Sequence, residues 1–207
     1  VTATDPRLEQ WLDAVLAGPG LTAAKDRLEA ARVLVDDALA AAALVDDGPV
    51  VDVGSGAGSP GIPIAVARPD LHVDLLEAQR RRCDFLRSVA RELPNVGVVC
   101  ARAEEHGRGD GREAYGTAVA QALAEPAVAV EWCLPLVRHG GRAILLVGEA
   151  DADRVAAASR EVGGGPPELV PLPGSGPRRR LLLVPKTGGT PERFPRRTGL
   201  ARKRPLA

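Results

Sequence analysis

The sequence predicts an α/β fold: a mostly parallel sheet with helices on both faces, closed by an antiparallel hairpin. Three observations carry this. Short apolar, β-branched runs alternate with amphipathic stretches of helical spacing between residues 50 and 162. The first run, Val50 to Val53, opens directly onto glycines at 54, 56, 58 and 61, and a helical pattern resumes at Ile62. The last two runs, Glu168 to Leu172 and Arg180 to Val184, have no helix between them, so they should pair antiparallel.

The elements follow in order. Asp5 caps a first helix with Pro6 at its first position, and Leu8, Trp11, Leu12, Val15 and Leu16 form its apolar stripe. Trp11 reads as a core anchor. Thr22 caps a second helix reaching about Val45, with Leu28, Ala31, Val35, Ala38, Leu39 and Ala42 on its buried face. After the glycine stretch, residues 72–77 form strand two and 79–93 a helix with Cys83, Leu86, Val89, Ala90 and Leu93 inward. The opposite face of that helix carries five arginines, from Arg80 to Arg91. Strands at 96–100, 117–121 and 142–147 follow, with helices at 126–137, shortened or kinked by Pro135, and 151–162. The chain divides into a helical extension (1–46), a central domain (47–186) and a Pro/Arg-rich tail (187–207).

With 207 residues and 45% hydrophobic content, one domain with a full core is expected; at 2% aromatic, that core must be built from Val, Leu and Ala. No run approaches the ~18 apolar residues of a membrane span, and the start lacks a basic-then-apolar signal, so a cytoplasmic protein is expected. Cys83, Cys100 and Cys133 are too scattered for a disulfide framework or zinc site and read as buried free thiols. His72, His106 and His139 are equally scattered, so no metal is expected. Net charge is zero but unevenly spread. Residues 178–207 hold ten basic side chains against the single acid Glu192, which leaves residues 1–177 at −9. That asymmetry points to nucleic acid at the C-terminal end.

Strand, glycine turn, helix is the form of a nucleotide-binding loop. No Gly-Lys-Ser/Thr is present, which excludes a phosphate-cradling P-loop. The spacing here is G-x-G-x-G-x-x-G, and an acid, Glu77, lies 23 residues beyond Gly54, where it can accept two ribose hydroxyls. The loop alone does not separate NAD from S-adenosylmethionine. Asp52, Ala103-Glu104 and the closing hairpin favour S-adenosylmethionine. Asp52 can fix the loop or meet a methionine ammonium, the Ala103-Glu104 pair is placed to border an adenine, and NAD folds continue with parallel strands.

Asp52-Val-Gly-Ser-Gly-Ala-Gly-Ser-Pro-Gly-Ile-Pro63 resembles the signature of the RsmG (GidB) family of 16S rRNA guanine-N7 methyltransferases. Leu75-Leu-Glu-Ala78, Arg82-Cys-Asp-Phe-Leu86 and Arg102-Ala-Glu104 continue the likeness, and Phe194 to Leu206 is similar to the ends of actinobacterial members. The resemblance implies a Rossmann-like class I methyltransferase fold with a seven-stranded sheet. It implies S-adenosylmethionine as cofactor, held by Gly54, Gly56, Gly58, Ser59, Glu77, Ala103, Glu104 and Gln121. The partner it implies is 16S rRNA or the 30S subunit, approached by a monomer through Arg196, Arg197, Arg202, Lys203 and Arg204. The chain departs from the family pattern at Ser59, where a bulky apolar residue is usual, at Gln121 in place of Arg, and at Val147 in place of Lys. Guanine N7 keeps a free lone pair, so attack on a sulfonium methyl needs no general base and no catalytic acid or base is expected. Two other readings stay open: a related methyltransferase with a different acceptor, and a cofactor-binding RNA module with little activity.

Overall fold

The computed structural model describes residues 5–172 and 179–207. Its centre is one seven-stranded sheet, ordered β3-β2-β1-β4-β5-β7-β6. The strands are β1 (Val50–Val53), β2 (Val73–Glu77), β3 (Val96–Cys100), β4 (Tyr115–Gln121), β5 (Val137–Val147), β6 (Glu168–Pro171) and β7 (Arg180–Pro185). The first five are parallel; β7 runs antiparallel to both β5 and β6. The chain leaves β1 towards β2 and β3, then crosses back to β4. The carboxyl ends of β1 and β4 therefore form the topological switch point, where ligands bind in open α/β sheets.

Alternation along the strands makes two cores. Val50, Leu75, Val119 and Ile144 face one side, against Leu8, Trp11, Leu12, Ile64 and Leu86. Val51, Leu76, Ala118 and Leu145 face the other, against Val130, Leu134, Val155 and Phe194. The helices are α1 (Pro6–Ala17), α2 (Arg27–Ala30), α3 (Asp37–Ala42), α4 (Gly61–Ala67), α5 (Arg80–Val89), α6 (Ala103–His106), α7 (Pro126–Cys133), α8 (Ala152–Glu161) and α9 (Leu200–Lys203). Trp11 is buried and donates from Nε1 to the Ala57 carbonyl at 2.8 Å, tying α1 to the glycine loop.

The structure corrects two expectations. The second helix is capped by Asp26, whose Oδ1 accepts the Glu29 N–H at 2.8 Å, and is not one continuous α-helix. Between α2 and α3 the chain widens to a π-helix over Ala31–Asp36. The extra residue rotates what precedes it, so Leu28 is 81% exposed instead of buried. The tail packs on the fold. Lys186 is buried where β7 ends, donating at 3.0 Å to the carbonyls of both Leu134 and Val162 and pairing with Glu113 at 3.5 Å. Burial lowers its ammonium to about 8, opposed by Glu113. Beyond it Phe194 is buried in the second core.

The second correction concerns the cysteines. Cys83 and Cys100 are joined as a disulfide, with Cα atoms 5.8 Å apart, and only Cys133 is free. Register explains it. Glu77 pairs with Cys100 across β2 and β3, and α5 starts just beyond Glu77, so its first buried position comes down beside the end of β3. Thiol titration of the denatured, unreduced protein should find one reactive thiol, rising to three after reduction; three before reduction would contradict the pairing.

Candidate active site

Leaving β1 at Val53, the chain turns at once. Gly54, Gly56 and Gly58 have φ of +74°, +57° and +109°, a region in which side chains are strained. A Cβ at Gly54 would collide with Leu123, and one at Gly61 with Leu75 and Asp52. Asp52 holds this loop from below: its Oδ2 accepts the Gly61 N–H at 3.0 Å, and Ser55 Oγ donates to its carbonyl at 2.8 Å. Asp52 is fully buried, and among the described residues Oδ1 has no partner. Burial pushes its carboxyl up to about 7, opposed by the Gly61 N–H and assisted by the charge of Glu77.

Glu77 ends β2, almost fully buried. It accepts the Gly56 N–H at 3.0 Å and the Gln79 N–H at 2.7 Å. A carboxylate offers about four acceptor positions, so two remain for vicinal hydroxyls. The cavity beside it is about 570 Å³ and is lined by Gly54, Glu77, Gln79, Ala103, Glu104 and Leu123 among others, a size that suits a nucleoside. The tail closes one wall, where Thr198, Gly199, Arg202 and Lys203 line the same cavity. Glu104 is buried and accepts the Gly199 N–H at 2.9 Å, so its carboxylate holds the tail as well as edging the cavity. Arg202 lies 5.1 Å above the Trp132 ring, and donates to the Leu123 carbonyl at 3.0 Å.

The residues expected to hold a cofactor therefore separate into two sets. Gly54, Glu77, Ala103 and Glu104 line the cavity, and Gly56 supports it through Glu77. Gly58, Ser59 and Gln121 do not line it. Ser59 Oγ lies 2.8 Å from the Leu34 carbonyl and 2.9 Å from Gln121 Oε1, while Gln121 Nε2 donates to the Val33 carbonyl at 3.0 Å. Val33 and Leu34 belong to the π-helix, so this polar pair clasps the N-terminal extension to the loop. Gly58 has Trp11 Nε1 and Ile62 where a Cβ would stand, a packing requirement.

The expected RNA contacts separate in the same way. Arg196 is mostly buried and donates from Nε to Glu131 Oε1 at 2.6 Å; Glu131 is itself buried, so this guanidinium is committed to the fold. Arg202 is part of the cavity wall. Arg197, Lys203 and Arg204 are exposed. Arg82 and Arg102, quoted above for the resemblance but not as site residues, add two cations to the cavity lining. Arg82 had a signal, the Arg80-Arg81-Arg82 run; Trp132 and Thr198 had none. Among the described residues no group of three His, Cys, Asp or Glu is placed to hold a metal, and no helix is long and apolar enough to cross a membrane.

Residues 8–164 match the family described as GidB, rRNA small subunit methyltransferase G. The chain belongs to this family. A protein named ribosomal RNA small subunit methyltransferase G from Pelotomaculum thermopropionicum is 42% identical over 176 residues, which is 81% of this chain and 74% of the relative. Its namesake from Chloroflexus aggregans is 41% identical over 196 residues, covering 90% and 82%. Among solved structures, cofactor-bound Rv0187 from MTB shares the fold with a TM-score of 0.61 at 19% identity, covering 89% of this chain and 91% of that one. A T. thermophilus 16S rRNA methyltransferase in complex with AdoMet and guanosine gives 0.52 at 20% identity, covering 76% and 40%.

Gly54 and the two remaining acceptor positions of Glu77, both in the cavity lining, fit the ribose of an adenosine ligand, while Asp52 lies beneath the loop and outside that lining. Glu77→Ala should weaken S-adenosylmethionine at least about tenfold, by the loss of hydrogen bonds to a charged group; calorimetric titration checks it, and unchanged affinity would contradict the ribose role. Asp52 also sets a pH signature. Its folded pKa is raised from 3.8 to about 7, so between those values the folded chain holds a proton that the unfolded chain has released. Stability must fall as pH rises through that window. Urea unfolding should show this decline relative to Asp52→Asn, and parallel profiles would refute it.

Proposed function

We propose that the chain transfers a methyl group from S-adenosylmethionine to N7 of a guanine in 16S rRNA. Membership of the rRNA small subunit methyltransferase G family carries this reading, and the site's chemistry supports it. Bound S-adenosylmethionine supplies an electrophilic sulfonium methyl. The protein's task is positioning. Glu77 fixes the ribose, Gly54 allows close approach of the backbone, and Leu123 and Trp132 offer an apolar wall to the ligand. Because N7 carries a free lone pair, no residue has to remove a proton, and the site presents no nucleophile–base pair.

The acceptor base must leave its stack to reach the site. Arg82, Arg102 and Lys203 at the cavity, with Arg197 and Arg204 outside it, form a basic approach for the flanking phosphates. These replace the family's usual cation at position 121, where Gln121 is instead given to the N-terminal clasp. The enzyme would work in the cytoplasm, where its substrate is assembled, and as a monomer.

Labelled methyl transfer to undermethylated 30S subunits tests this directly. Transfer should weaken steeply with salt, and the triple variant Arg197→Ala, Lys203→Ala, Arg204→Ala should lower the slope of log affinity against log salt by about 2. Salt-indifferent transfer, or transfer to small-molecule acceptors but not to ribosomal subunits, would overturn the reading.

A further inference from the structure

A second cavity, of about 200 Å³, adjoins the first, and the two share Ala122 and Leu123. It lies between the carboxyl ends of β4 and β5. Its walls include Leu123, Pro126, Ala129, Val147 and Gly148, and Glu149 also lines it. It falls below the ~300 Å³ at which sites for drug-sized ligands begin, and suits a single planar ring system. We propose that this cavity seats the extruded acceptor guanine and that Glu149 reads its Watson–Crick edge. The proposal rests on the guanine-N7 reading above.

The first argument is place. The turn that separates the two cavities is Ala122-Leu123, and Ala122 holds a left-handed φ of +50°, a strained conformation for a residue with a side chain. A base in the smaller cavity lies just across that turn from a ligand in the larger one, as transfer between them requires. The second argument is chemistry. Apolar walls suit the faces of an unstacked base. Guanine carries N7 and O6, both acceptors, on one edge and the donors N1–H and N2–H₂ on the opposite edge. With N7 turned towards the methyl donor, both donors point away from it, and one carboxylate can accept the two together.

The third argument is electrostatic. A surface that receives phosphates should not carry an unpaired acid, and the neighbouring cavity is lined by Arg82, Arg102, Arg202 and Lys203. Glu149 is nevertheless exposed, with no hydrogen bond or ion pair among the described residues. The nearby Glu125, by contrast, is paired with Arg154 at 3.7 Å. Reading a base edge gives Glu149 a partner. The same carboxylate rejects adenine, whose N1 is an acceptor and would leave it facing a lone pair.

The test follows from N2. After the methylated guanine has been mapped, 16S fragments are ligated with guanosine or inosine at that one position and assembled into particles. Inosine keeps N7 and lacks the N2 amine. Wild type should prefer guanosine by at least about tenfold in kcat/KM, the consequence of losing a hydrogen bond to a charged acceptor. In Glu149→Ala that preference should fall about tenfold, with S-adenosylmethionine affinity unchanged by calorimetry. Comparing the ratio between the two proteins cancels any intrinsic difference in N7 reactivity. An unaltered ratio in Glu149→Ala, or a wild type indifferent to the amine, overturns the assignment. Absence of methyl at N7 of any guanine overturns the functional reading itself, and the role of Glu149 with it.

Discussion

The active-site end of this molecule depends on one buried carboxylate. Asp52 leaves the sheet at the switch point and takes the first N–H of α4. That bond fixes how the chain re-enters the helix after a loop whose three glycines occupy conformations strained for other residues. Three neighbouring parts of the fold are tied to this loop. Gly56 donates to Glu77, Ala57 receives the indole of Trp11, and Ser59 reaches the π-helix. An acid kept in the core at a raised pKa is costly on its own account. What it supplies in return is the anchor for Gly61, which sets where the glycine loop ends.

The C-terminal segment gives the second constraint. Its charge excess invites a reading as a free RNA-binding arm, but part of that charge is structural. Lys186 is held by carbonyls inside the fold, Arg196 faces the buried Glu131, and Arg202 stacks on Trp132. Burying an ion pair is a poor source of net stability but a good source of a unique arrangement. Here it fixes the path of the tail across Glu104 and along the cofactor cavity. Of the exposed tail cations, Arg202 and Lys203 line that cavity beside Thr198 and Gly199, and Arg197 and Arg204 stay exposed outside it.

Much of this was legible in the sequence because it depends on local pattern. The period-two runs, the Asp5-Pro6 cap and the glycine spacing each encode their structure within a few residues, and the two final runs without a helix between them could only form a hairpin. Glu77 was legible for the same reason, as an acid at a strand end at a fixed distance from the loop. What was not legible depends on register between distant segments. Cys83 and Cys100 meet only because β3 aligns Cys100 with Glu77. Leu28 is exposed because of a π-turn that helical spacing does not announce. Ser59 and Gln121, 62 residues apart, come together against two π-helix carbonyls, a clasp that no local pattern announces. Glu149 carried no motif and gained meaning only from the cavity it lines.

The central claim is that this site delivers a methyl group to guanine N7 in small-subunit rRNA. Nucleoside mass spectrometry of digested 16S rRNA, after incubation of undermethylated 30S subunits with the protein and isotope-labelled S-adenosylmethionine, tests it most directly. The account predicts label in 7-methylguanosine alone, and its loss with Glu77→Ala. Label in any other nucleoside, or none in rRNA when the protein binds S-adenosylmethionine normally, would contradict it.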